Sequence, residues 1–155
     1  MRVDATPEEV VAGRELASWG RRLAAVLLDS VIIGAAVVPT ILIAGVSVQE
    51  LNDLLIEGDT LVLLALFVMP EAIYDTVMIG SRNQTFGKMA LGIKVVGADD
   101  RAPIGYARAF RRWLSTAALW ALFTVPGILD HLWPLRDTRN QTLHDKFARS
   151  VVVRA

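Results

Sequence analysis

The chain has no cysteine, so disulfides, thiolate metal sites and a cysteine nucleophile are excluded, and the redox compartment stays open. It carries 16 basic and 16 acidic residues in 155, yet no Lys or Arg occurs between Leu23 and Ser81. No nucleophile elbow is present, and His144-Asp145 has no further ligands at metal spacing. Gly87 and Gly92 flank a basic turn without forming a phosphate loop. An enzyme, a cofactor, a bound metal and a nucleic-acid partner are therefore not expected.

What fills the chain instead is apolar. The hydrophobic share is 54% and the mean hydropathy +0.45, well above an average soluble domain. Leu23–Val48 and Leu61–Gly80 are each long enough to cross a bilayer, which takes about 20 mainly apolar residues. A third stretch, Trp113–Trp133, is divided by Pro126-Gly127. Its first piece reaches only about 20 Å, short of a roughly 30 Å hydrocarbon core. It reads either as one kinked span that leaves the tail outside, or as two short helices that dip in and return. The five basic residues of the tail against Asp137 and Asp145 favour the second reading.

The basic residues outside the bare block fall four in Met1–Arg22, seven in Arg82–Arg112 and five in Arg136–Ala155. Short loops rich in Lys and Arg stay cytoplasmic. The connection with Glu50, Asp53, Glu57 and Asp59 has no basic residue and faces outward. The expected protein is a multi-pass inner-membrane protein with a cytoplasmic N-terminus. Met1–Gly20 is charged and broken by Pro7, which does not fit a cleaved signal peptide. Thr6-Pro7-Glu8-Glu9 reads as a helix start, and Val10, Val11, Leu16, Ala17 and Trp19 suggest a short helix along the membrane surface.

The fold expected is an all-α membrane bundle with two full spans, one Pro-Gly-interrupted element and short cytoplasmic β segments. An N-terminal segment, 1–18, precedes a transmembrane domain, 19–155, with a basic segment at 81–112 and a basic tail at 134–155. Gln84–Leu91 suits a short amphipathic helix and Gly92–Val96 a strand. The polar turn, basic helical turn and β-branched strand recur from Asn140 to Val153. Similar segments belong on one side of the membrane, where the two strands can pair as a clip. Asn83 and Asn140 head Asn-X-Thr sequons, read here as turn and cap residues.

Gly20-Arg21-Arg22-Leu23-Ala24-Ala25, with Asp29 seven residues after Arg22, resembles the opening motif of the RDD family of membrane proteins. Asn83-Gln84-Thr85-Phe86-Gly87-Lys88-Met89-Ala90-Leu91-Gly92-Ile93-Lys94-Val95-Val96 is similar to its second signature, and Asp137–Lys146 followed by Val151–Val153 to its third. The family is named for one Arg and two Asp. Arg22 and Asp29 match the first two, and Asp75 and Asp145 are both candidates for the last. The resemblance implies an integral membrane architecture and an activity in transport, including cation/proton exchange in some members. Relatives vary where this chain has Glu71 and Asp75.

The candidate site is acidic. An unpaired carboxylate at membrane depth costs roughly 2.5 kcal/mol or more, so Asp29, Glu71 and Asp75 are ion- or proton-binding candidates. Arg22 shares a helix face with Asp29, about 10 Å away, and is placed to set its pKa or gate access. The alternative is that Asp29 locks the bundle by pairing with Arg111, Arg112 or His131. Asp130-His131 is a proton relay or an interfacial hydrogen bond, and His144-Asp145 a tail anchor to Arg21, Arg22 or Lys88. Trp19, Trp113, Trp120 and Trp133 serve as interface anchors and packing. Arg108, Arg111 and Arg112 form a basic face for anionic lipid.

The leading function is a small membrane transport protein exchanging a monovalent cation for protons. A protomer this small encloses little, so a path implies a homo-oligomer or a membrane partner. The rival is a non-catalytic subunit that docks lipid or protein through its basic face.

Overall fold

A computed structural model of the chain describes residues 10–11, 14–57, 68–99, 102–122 and 124–155. The longest helix, α1 (Trp19–Ile43), has 25 residues and a mean hydropathy of 2.4 in its most apolar window. At 1.5 Å per residue it reaches roughly 37 Å, enough for a bilayer. Among the described residues it is the one helix long and apolar enough to cross a membrane. Val26, Leu27, Leu28, Val31, Val38 and Leu42 are exposed on it, an outer surface suited to lipid rather than water. Pro39 lies inside the helix without ending it, and in the next position Thr40 Oγ1 donates to the Ala36 carbonyl (2.9 Å). The helix starts before the expected Leu23 and stops short of Val48, where Gly45 adopts φ +74°.

The expected external connection is largely helical: α2 (Val48–Glu57) starts after Ser47, whose N–H and hydroxyl both donate to Glu50. The first half of the second expected span, 61–67, lies outside the described residues. Its second half is α3 (Met69–Arg82), closed by Asn83 in the left-handed region. Then follow α4 (Phe86–Ala90), a strand at Ile93–Gly97, α5 (Gly105–Leu122), α6 (Thr124–Leu132), a 3-10 turn at Trp133–Leu135, α7 (Leu143–Phe147) and a strand at Ser150–Arg154.

The divided third element is two helices. Pro126 sits in the first turn of α6, where its missing N–H costs nothing, so the break falls before it rather than at it. A Cβ on Gly127 would lie 2.4 Å from the Trp120 ring, which measures how closely α6 folds back on α5. Both ends of this hairpin reach α7, through Arg112 and through Asp130.

The N-terminal surface helix expected from Val10 to Trp19 is absent. Val10–Val11 (β1) and Arg14–Glu15 (β2) form an antiparallel hairpin instead, and residues 1–9 lie outside the described residues. The apolar positions that suggested a helix face serve another purpose: Leu16 bridges Val153, and the Ala17 N–H donates to the Val152 carbonyl. Both are buried.

Strand β3 (Ile93–Gly97) pairs antiparallel with β4 (Ser150–Arg154), Val95 opposite Val152. Ile93, Val95 and Val152 turn one face toward the helix ends at Ala25, Ile79 and Ala109, and Val96, Val151 and Val153 pack on Leu16. Both faces are covered, which explains unbroken β-branched runs instead of an alternating pattern.

The sequence echo is a structural repeat with an offset of 57 residues. Thr85 and Thr142 cap α4 and α7, accepting from Lys88 N and Asp145 N. Gln84 Nε2 donates to the Ile93 carbonyl and Gln141 Nε2 to that of Ser150, at 2.9 and 2.8 Å. Ala98 N donates to Arg149 O and Ala155 N to Gly92 O, each at 2.9 Å. Asn83 and Asn140 both have positive φ, as their turn role requires.

Candidate functional site

The same repeat anchors the two halves to longer helices. Each short helix presents its second backbone N–H to a carboxylate from a longer helix. Gly87 N donates to Asp29 Oδ1 (2.8 Å), and His144 N to Asp130 Oδ1 (2.9 Å). Unsatisfied N–H groups and the dipole at a helix start favour an anion there.

Asp29 is fully engaged. Besides Gly87 N it accepts from Tyr74 Oη (2.7 Å) and Thr85 Oγ1 (2.5 Å), and Lys88 Nζ lies 3.8 Å away. A side chain on Gly87 would meet the Ala25 carbonyl at 2.3 Å, so only glycine permits this contact between α1 and α4. Asp29 thus locks the bundle, but through neutral donors and Lys88, not through Arg111, Arg112 or His131. Sequence reasoning missed Lys88 as the cation of this site. Its place one helical turn after the cap Thr85, beside a glycine, was the available signal.

Arg22 does not reach Asp29. Its NH1 binds Asp145 Oδ2 at 2.7 Å, so it anchors the tail. Arg112, expected on a lipid-facing surface, is buried and donates to Asp145 Oδ1 (2.9 Å). Arg108 turns to the Ala148 and Arg149 carbonyls at the end of α7, while Arg111 is exposed. The α5 stripe splits because positions 108 and 112 share a face toward α7 and position 111 does not.

Burial alone would raise the Asp145 pKa, but Arg112 and Arg22 hold it well below the usual carboxylate range. Its other contacts are Ser150 Oγ (3.2 Å) and the capping box with Thr142. His144 has one geometry open to it. Arg112 NH2 lies 2.9 Å from His144 Nε2, and arginine only donates, so Nε2 must accept. Nδ1 then carries the proton and donates to Asp130 Oδ2 at 2.5 Å. The ring is neutral; burial and the neighbouring Arg112 lower its pKa. His131 stands 3.6 Å from Asp130 as a second neighbour, with its Nδ1 3.0 Å from the Gly127 carbonyl.

Asp75 joins the two clusters. It lies 3.9 Å from Lys88 Nζ and 3.8 Å from Arg112 NH1. A chain of charge therefore runs Asp29, Lys88, Asp75, Arg112, Asp145, Arg22. Burial pulls the Lys88 ammonium below its ordinary pKa despite the attraction of Asp75. Glu71, one turn before Asp75, has no ion-pair or hydrogen-bond partner among the described residues.

Two cavities meet at these groups. The larger, about 430 Å³, has Asp29, Ser30, Glu71, Tyr74, Asp75 and Lys88 at its polar end. Its remaining wall is apolar and belongs mostly to α1. The smaller, about 110 Å³, shares Glu71, Asp75 and Lys88 and continues to Arg22, Arg112, His131 and His144. All eight sequence candidates of the acidic and tail sites fall in this network, but their pairing differs from the spacing argument. No group of three metal-ligating side chains is present among the described residues.

Comparison with curated proteins gives no match, and neither does comparison with solved structures. A family model described as the RDD family matches residues 16–149, from the strand-bridging Leu16 through α7. The chain belongs to the RDD family, a membrane-associated family.

Proposed function

We propose that the chain is a small multi-pass membrane protein that exchanges a cation for protons at Glu71 and Asp75. One observation carries the reading: two carboxylates, one helical turn apart on α3, face a cavity with acceptor capacity that no hydrogen bond fills among the described residues. Lys88 stands between them and Asp29 as a built-in cation that an arriving one displaces electrostatically. Asp75 and Asp29, 3.9 and 3.8 Å away, hold its charge against burial, so a cation that engages Asp75 loosens the Lys88 proton. Asp29 anchors this site rather than serving as its ligand, since three donors and the nearby Lys88 already surround it.

The sheet end is the cytoplasmic side, because Arg21, Arg22, Arg82, Lys88 and the basic tail gather there, while α2 carries Glu50, Asp53 and Glu57. On this orientation α5 and α6 form a hairpin that enters from the cytoplasm and returns. The lipid-docking alternative loses support, since Arg112 is buried and Arg108 binds carbonyls. A homo-oligomer would complete the path.

The test is proteoliposomes holding a trapped pH dye, with Na⁺, K⁺ or Li⁺ added outside. Cation-dependent proton release that vanishes in Glu71→Gln and Asp75→Asn is the expected result. Silence from folded wild-type protein with each of the three ions would overturn it.

A further inference from the structure

The larger cavity has room for more than a bare alkali ion at its carboxylates. Such an ion is held by a close cage of about six or more oxygens, with little empty space around it. Here the polar groups occupy one end only. The rest runs along α1 from Ile33 to Ile41, roughly 12 Å at 1.5 Å per residue, and reaches the lipid-facing surface at Val38. Its volume of about 430 Å³ falls in the range of small-molecule sites, about 300–1,000 Å³, which pair an apolar wall with a few convergent polar groups.

The charge at the polar end selects the head group. Asp75 has only the long contacts to Lys88 and Arg112, at 3.9 and 3.8 Å, and Glu71 has none among the described residues. Asp29 needs no further donor. The two open carboxylates outweigh the single ammonium of Lys88 that lines the cavity with them, so a cation is favoured and an anion is not. A primary ammonium brings three N–H donors, and its hydrocarbon tail fills the apolar wall.

We infer that the ligand of this cavity is an amphiphilic organic cation, a primary ammonium with a linear hydrocarbon tail, its head between Glu71 and Asp75 and its tail along α1. The inference rests on the reading of Glu71 and Asp75 as a cation site, and it adds to the alkali ion a larger cation that uses the whole cavity.

The test is equilibrium binding of labelled n-alkylammonium ions, butyl to octyl, to the full chain in nanodiscs, with empty nanodiscs subtracted and matched n-alkanols as neutral controls. Each added methylene should tighten binding about fourfold until the cavity is filled. Glu71→Gln and Asp75→Asn, taken singly, should weaken every ammonium at least tenfold without changing the alkanols. Val37→Trp should shorten the longest chain accepted. Glu71 lies at the exposed rim, so its substitution leaves the fold intact and keeps the result readable. Equal affinity for ammonium and alkanol would mean that a lipid chain occupies the cavity and would overturn the inference. Indifference to both carboxylate substitutions would overturn it too. Ammonium binding without alkali-driven proton release would refute the alkali-exchange reading alone. Release without ammonium binding would refute this inference alone.

Discussion

Asp145 is the point at which the network is most exposed to a single atom change. Asp145→Asn keeps the shape and the backbone N–H that Thr142 caps, removes the charge, and turns one of the two oxygens that accept from Arg22 and Arg112 into a donor. Arg22 and Arg112 then lose a carboxylate at 2.7 and 2.9 Å in a site with no solvent access. Breaking a buried pair costs about 3–5 kcal/mol, because the uncompensated charge stays buried. Arg112 keeps Asp75 at 3.8 Å, so the lower part of that range, about 3–4 kcal/mol, applies. With about 2–4 °C per kcal/mol for a chain of this size, the melting temperature should fall by about 6–16 °C. The assay is thermal unfolding in nanodiscs for Asp145→Asn, Arg22→Gln and the double variant. The double should cost less than the sum by more than about 1 kcal/mol, since the second change removes a charge the first left stranded. The pH dependence has a definite sign. A carboxyl whose folded pKa is depressed contributes stability above its unfolded value near 4, lost as pH falls toward the lower folded value. Wild type should therefore lose stability on acidification below about pH 5, and Asp145→Asn should lose less. A shift under 2 °C at neutral pH, or strict additivity, would refute the account of Asp145 as the shared anion of two buried guanidiniums.

His144 should stay a neutral, Nδ1-protonated imidazole at pH 6, read from its ¹⁵N chemical shifts; an imidazolium signal there contradicts the assigned tautomer. Because its folded pKa is lowered, the unfolded state takes up the extra proton, so stability should decline as pH falls below about 6.5 and the decline should flatten in His144→Asn. Gly87→Ala should destabilise by about 2 kcal/mol or more, since its Cβ would meet the Ala25 carbonyl and Asp29, whereas Gly20→Ala meets nothing within 4 Å and should be neutral; equal melting temperatures for the two would be the contrary result. Tyr74→Phe strips one donor from Asp29 and one acceptor from Phe86 N, and should cost about 1–3 kcal/mol by the same melting assay; no loss would mean that Asp29 is satisfied without it.

Local features of this chain were legible in its sequence and long-range pairing was not. The two Asn-Gln-Thr segments announced their own geometry, because left-handed Asn, Thr cap and β-branched strand are each decided within a few residues. The apolar length of α1 was likewise plain. Arg22 and Asp145 are 123 positions apart; Arg22 was one of three expected partners of the tail anchor, with Arg21 and Lys88, and nothing local chose among them. The seven-residue spacing to Asp29 suggested the wrong acid, since sharing a helix face leaves two side chains about 10 Å apart along the axis. The N-terminal segment failed for a related reason. Its apolar residues fit a helix in isolation, but a strand edge on β4 was available to Leu16 and Ala17 and offered backbone hydrogen bonds as well as burial.

The distribution of charge, rather than any one contact, is what separates α3 from the rest of the network. Four carboxylates, Asp29, Asp75, Asp130 and Asp145, face three basic side chains, Arg22, Lys88 and Arg112, because the contact with Arg112 forces His144 to be neutral. One negative charge is left over, and Glu71 adds a second. The surplus cannot sit on Asp145, which two guanidiniums hold, nor on Asp29, which three donors and Lys88 hold. Asp130 has the donor His144 and its backbone N–H. It falls on Glu71 and Asp75, the acids with the fewest partners and the ones lining both cavities. A surplus of this kind at the rim of a low-dielectric cavity draws a proton or a cation from outside. Each well-partnered carboxylate fixes a helix in place, and the pair on α3 is left to answer to whatever enters the cavity.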